Sequence, residues 1–138
     1  MHNDFDATGE LGYHFTDQFY GRVGGGQLLY PVGGDQHYYD DDRVFLELGY
    51  KPLPVLAFSL LGAVDFFRFG ADASGARDDQ LYGATFAIDW TAVRWLHIGG
   101  SFNYTNRVSS QGDTNNPEDA TAYSYQRYIA MLSFSFLF

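Results

Sequence analysis

Few side chains in this sequence could do chemistry, and they are scattered. There are four histidines: His2, His14, His37 and His97. A hydrolytic site needs a nucleophile and an acid within hydrogen-bond reach of the histidine. Ser101 shares a strand face with His97, but four residues of extended chain put it ~13 Å away. His14 and His97 are therefore read as polar residues with structural roles, and the chain as no enzyme. With no cysteine, disulfides, thiolate metal sites and cysteine nucleophiles are excluded, and the redox compartment cannot be read. Asp40, Asp41 and Asp42, with Asp35, have the oxygens a hard cation wants. They lack the spaced ligands and glycine of a dedicated calcium loop, and read as a solvated acidic segment. Gly24, Gly25 and Gly26 are not a phosphate cradle, because no helix follows to hold an anion at its N-terminus. They mark a bulge, a sharp bend or a tight contact on the lumen side instead. No resident metal or cofactor is expected.

The elements that carry these residues are set by composition and period. A chain of 138 residues is read as a single domain spanning 1–138. Aromatics make 19% and hydrophobic residues 46%, which excludes a disordered tail. Eight basic against 17 acidic residues give a net charge of −9, which argues against a nucleic-acid partner. The longest apolar stretch, residues 53–64, is broken by Pro54 and Ser59, so no transmembrane helix is expected. The opening residues have no basic region and apolar run of a signal peptide, which leaves a cytosolic protein, a processed form or a fragment.

The dominant period is two. Leu96, Ile98, Gly100, Phe102 and Tyr104 alternate with His97, Gly99, Ser101, Asn103 and Thr105. Residues 5–15, 44–51 and 82–90 behave the same way. Such alternation puts one set on each face of a strand. Seven strands can be drawn at 4–16, 19–31, 42–51, 55–69, 79–91, 95–108 and 122–138. Tight turns near 16–18, 51–54 and 91–94 alternate with longer acidic loops at 32–41, 70–78 and 109–121. An all-β antiparallel meander is expected, with one plain end and one decorated end.

Alternation does not say which face meets water. A soluble sandwich buries its apolar set, whereas a transmembrane barrel turns it to lipid. Three features favour the second. Several segments run 11–15 residues, whereas a tilted membrane strand needs ~9–11 and a globular one ~5–6. Tyr13, Phe15, Phe19, Tyr50, Trp90, Trp95, Phe136 and Phe138 gather at the tight-turn end, and Tyr30, Phe66, Tyr82, Tyr104 and Tyr128 toward the loop end, as two interfacial girdles would. The opposite face carries Gly, Ser, Thr, Ala and single charges rather than a lysine- and glutamate-rich surface. A mean hydropathy of −0.23 is neutral here, because such a wall is half polar.

The last strand adds a fourth. Tyr128, Ala130, Leu132, Phe134, Phe136 and Phe138 share one face, and Phe138 carries the terminal carboxylate. This resembles the β-signal of bacterial outer-membrane proteins. The resemblance implies recognition by the barrel-assembly machinery, with Tyr128, Leu132, Phe134, Phe136 and Phe138 as the assembly signal. Residues 87–138 are also similar to the C-terminal hairpins of β-barrel porins associated with exopolysaccharide export. The matching positions are Trp95, Leu96, Tyr104, Arg107, Ser109, Tyr125, Arg127, Leu132, Ser133 and Phe138. The likeness covers about a third of the chain well, and such porins are considerably longer.

These resemblances imply a bacterial outer-membrane location, with tight turns periplasmic and acidic loops extracellular. They also imply contact with lipid and lipopolysaccharide, the latter through loose divalent bridging by the acidic loops. Seven strands conflict with the even count of single-chain bacterial barrels. The chain is thus expected to be the C-terminal part of a larger barrel, completed by strands from missing sequence or another chain, or a small eight-stranded barrel with one more strand hidden in 19–41. Glu10, Arg43, Glu47, Lys51, Asp65 and Asp89 are the expected lumen charges. Two functions follow: a porin-like segment for passive or export-linked transport, or a structural barrel that anchors acidic loops bearing Tyr38, Tyr39, Tyr123 and Tyr125 or contacts other subunits.

Overall fold

The computed structural model describes residues 5–32, 37–72, 75–109 and 124–136. They form seven strands and no helix: β1 (Phe5–His14), β2 (Phe19–Val32), β3 (His37–Leu53), β4 (Leu56–Asp72), β5 (Gly75–Val93), β6 (Leu96–Ser109) and β7 (Tyr125–Phe136). Each strand pairs antiparallel with the next, in the order β1 to β7. The sheet is not closed: β1 and β7 are its two edges.

Directly paired residues in such a sheet lie on the same face. The register therefore propagates the alternation across all seven strands. One row runs Leu11, Val23, Leu46, Gly62, Ala84, Tyr104 and Tyr128. The row beside it runs Gly12, Arg22, Glu47, Leu61, Thr85, Asn103 and Ile129. Across the middle of the sheet one face is apolar and the other carries most of the polar side chains. No apolar side chain among the described residues is buried, so the chain has no hydrophobic core of its own there.

The seven expected strands are all present, but two decorated loops are shorter than expected. β3 begins at His37 and β5 at Gly75, so most of 32–41 and 70–78 is paired strand. Between β2 and β3 the observed register is also the electrostatically favourable one. Pairing Pro31 with Asp42, as the expected bounds would, sets Arg22 opposite Lys51. The observed register sets Arg22 opposite Glu47 and Gln27 opposite Asp42. Opposite charges across strands stabilise, and like charges there repel. Tyr38 and Tyr39 thus belong to β3 and Tyr125 to β7 rather than to loops, while Tyr123 lies outside the described residues. No extra strand appears within 19–41 among the described residues.

The β1–β2 turn is closed by Thr16, whose Oγ1 accepts from the backbone N–H of Gln18 at 3.2 Å and of Phe19 at 3.0 Å. The other two tight turns fall at Pro54–Val55 and Arg94–Trp95, a residue or two beyond the expected centres. Each is flanked by a register shift, between Tyr50 and Leu53 and between Thr91 and Val93.

Candidate functional site

The two faces differ in what they touch. The apolar face carries Leu11, Val23, Val44, Leu46, Leu60, Phe86, Phe102, Leu132 and Phe134, all exposed. Its band is bounded. On β4, Leu56 through Phe66 is apolar at every second position, ~33 Å of strand and ~25 Å of height at a tilt of ~40°. Toward and beyond its loop-side limit the same face carries Gln27, Asp42, Arg68, Gln80, Asn106 and Gln126, interleaved with Phe66 and Val108. Arg68 holds Asp42 at 2.5 Å and Asp40 at 3.9 Å, and the Gln27 amide donates to Asp40 at 3.2 Å.

Aromatic rings mark both limits of the band. At the tight-turn end, Tyr13 meets Phe15 edge-on with centroids 5.1 Å apart, and Trp95 stacks on Phe136 at 6.3 Å. Phe19, Tyr50 and Trp90 lie in the same apolar register. Toward the other limit, Tyr104 and Tyr128 lie 5.1 Å apart, with Tyr82 and Phe66 in adjoining strands. The backbone of Tyr30 pairs with that of Tyr39, and the expected place of the Tyr30 side chain in this belt lies outside what is described.

The polar face is concave. Tyr20, Glu47, Lys51, Ser59, Asp89, Ser101 and Ser133 help line one groove of about 690 Å³, reaching from β2 to β7. A second hollow of about 410 Å³ lies between Asp6, Thr8, Glu10, Asp41, Arg43 and Phe45. A sheet can present grooves spanning six strands on one face only by curling toward that face. The apolar set is therefore outside the curve and the polar set inside it.

The expected lumen charges divide into two groups. Glu10, Arg43, Glu47, Asp65 and Asp89 all fall in the polar register. Arg43 reaches Asp65 at 3.4 Å. Glu10 and Glu47 are joined through Arg22, at 3.3 Å and 2.5 Å. The Tyr20 hydroxyl donates to the second oxygen of Glu47 at 3.1 Å. Lys51 and Asp89 also line the groove but have no ion pair among the described residues.

Arg22 is the hub that sequence reasoning missed, and its guanidinium also lies 5.6 Å from the centroid of the Phe45 ring. The signal was present, since the short β1–β2 turn alone sets Arg22 beside Glu10. A second missed pair joins Arg107 to the buried Asp79 through two guanidinium nitrogens. Away from the charges, Asn103 donates to Thr85 at 2.7 Å and Thr105 to Asn103 at 3.2 Å.

The three consecutive aspartates do not converge on one ion. A strand sends Asp40 and Asp42 to one face and Asp41 to the other. Among the described residues, no three His, Asp or Glu side chains gather as a metal cluster. His97 approaches the Thr91 hydroxyl at 3.4 Å, and the His14 ring lies 5.8 Å from that of Tyr20.

Of the residues expected to form an assembly signal, Tyr128, Leu132, Phe134 and Phe136 lie on the apolar face of β7, while Phe138 is outside the described residues. No protein-family model, curated protein or solved structure matches this chain.

Proposed function

We propose that the chain is a lipid-embedded wall segment of a bacterial outer-membrane β-barrel. It is porin-like, with the concave face lining a polar lumen for passive or export-linked passage. The observation that carries this reading is the inverted placement of the two faces. The apolar set lies outside the curve, exposed across all seven strands, and the ion-paired set lies inside. In water such a face would associate or aggregate, because apolar surface must be removed from water to stabilise a fold. In hydrocarbon it is already solvated. The band height of ~25 Å and the aromatic limits suit that placement.

The hydrogen-bonding groups of β1 and β7 then need partner strands, because hydrocarbon supplies none. Acidic side chains outnumber basic ones on the lumen wall, so passage should favour cations. Assembly by the barrel-assembly machinery and a location with tight turns periplasmic belong to the same proposal. So does contact of the acidic end with lipopolysaccharide. The test is reconstitution in planar bilayers under a salt gradient. Discrete conductance steps with a reversal potential on the cation side support the reading. A membrane-inserted protein that never conducts would mark the wall as an anchor rather than a path.

A further inference from the structure

We propose that Tyr20 and Gly49 together set how far the groove on the concave face stands open. The Tyr20 ring lies stowed on the wall because Gly49 has no side chain to lift it. The inference rests on the lumen reading of that face and names the residues that set its aperture.

The pair belongs to one row of the sheet. Tyr20, Gly49, Ser59, Ala87, Ser101 and Met131 are direct partners on successive strands, from β2 to β7. They therefore share the polar face. From β3 to β6 this row holds only Gly, Ser and Ala, so a large side chain at its β2 end decides how much of the row is clear. The Tyr20 ring runs along the wall toward β3. A methyl group on Gly49 would coincide with Cε1 and Cζ of the ring and lie 2.6 Å from the hydroxyl oxygen. Gly49 is buried, although Glu47 and Lys51 on either side of it line the groove. The ring is its cover. The Tyr20 hydroxyl donates to Glu47 at 3.1 Å, and the other oxygen of that carboxylate holds Arg22 at 2.5 Å. The tip of the ring is thus tied to a charge that is itself fixed.

The surroundings of the ring decide where it goes once displaced. The three atoms nearest the added methyl all belong to the outer end of the Tyr20 side chain, and none is backbone. At Gly24 the added methyl meets the Gly9 carbonyl as well as a ring. Backbone held in a ladder yields little, whereas a ring can turn to another staggered well. Toward β1 the His14 ring stands 5.8 Å away and takes up that flank. The direction left is the groove, which Tyr20 already helps to line. With a side chain at position 49 the ring stands up from the wall and narrows the passage. Glycine weakens the interior of a strand and marks places where another group approaches closely. Here that group is the phenol.

The test uses the whole chain with meta-fluorotyrosine at every tyrosine, and Tyr20→Phe identifies the fluorine resonance of Tyr20 by its loss. A water-soluble paramagnetic chelate should broaden that resonance more in Gly49→Ala than in the parent. In planar bilayers the conductance step should roughly halve in Gly49→Ala and return to the parent level or above in Gly49→Ala/Tyr20→Ala. Equal broadening in parent and Gly49→Ala overturns the proposal, because the ring has not left the wall. A conducting parent whose step is unchanged in Gly49→Ala, or a loss that persists after Tyr20 is removed, overturns the aperture role and leaves the lumen reading intact. A parent that inserts and never conducts defeats the lumen reading and the aperture role together. Should Gly49→Ala fail to insert while the double variant inserts, the ring has no second place and the proposal fails. Failure of both variants to insert overturns it as well, since the methyl group then meets more than the ring.

Discussion

At the residue scale the glycines separate two kinds of position. A methyl group on Gly25 would sit 2.7 Å from the backbone oxygen of Arg43, and one on Gly24 would meet the Phe45 ring and the Gly9 carbonyl. Neighbouring backbone therefore passes too close for a side chain at these two positions, while β2 pairs with both neighbours through Gly24, Gly25 and Gly26 without the expected bulge. At Gly62 the same methyl group meets nothing within 4 Å. Gly25→Ala should destabilise by about 1–3 kcal/mol through overpacking, whereas Gly62→Ala should stay within about 0.5 kcal/mol of the parent. Urea unfolding of the two variants in detergent, read by tryptophan fluorescence, checks this. The ion-pair hub gives a second expectation. Replacing Arg22 with Ala leaves Glu10 and Glu47 facing each other without their shared cation. The unfolding midpoint should fall, and the double variant Arg22→Ala/Glu47→Gln should recover part of the loss. A double variant no better than the single one would mean the pair contributes nothing.

At the element scale, adjacent residues of one type test the two faces. Leu60 lies in the apolar register beside Leu48 and Phe86, and Leu61 in the polar register beside Glu47 and Thr85. Leu60→Arg should cost about 2–4 kcal/mol, the cost of a cation at mid-bilayer on a lipid-facing strand. Leu61→Arg should cost much less, since it enters a polar wall next to Glu47. Equal losses at 60 and 61 would contradict the assignment. Most of this was legible in the sequence because a period of two is a strong, local signal. The alternation through Phe102 and Asn103 needs no knowledge of the neighbours. The hairpin ends were not legible, because the acidic run at Asp40 to Asp42 looks like a loop by composition. Only its partners Gln27 and Arg68, far away in sequence, make it strand. The same distance hid the pairing of Arg107 with Asp79, whereas Glu10, Arg43, Glu47, Asp65 and Asp89 could be placed by parity alone.

At the scale of the whole molecule, the central claim is that a seven-stranded sheet keeps its apolar surface on the outside of its curve and turns it to lipid. Nothing within the described chain covers that surface. Phe102 and Asn103 sit next to each other at mid-strand on opposite faces, paired with Phe86 and Ala130 on one side and with Thr85 and Ile129 on the other. The most direct measurement places a fluorescent label on Phe102→Cys and on Asn103→Cys, one at a time, in protein reconstituted into liposomes. Each is then quenched with a lipid-soluble nitroxide and with a water-soluble ion. The label at 102 should be quenched from the lipid and shielded from the ion, and the label at 103 should behave in the opposite way. Equal responses at the two positions, or a label at 102 that only the aqueous ion can reach, would contradict the account.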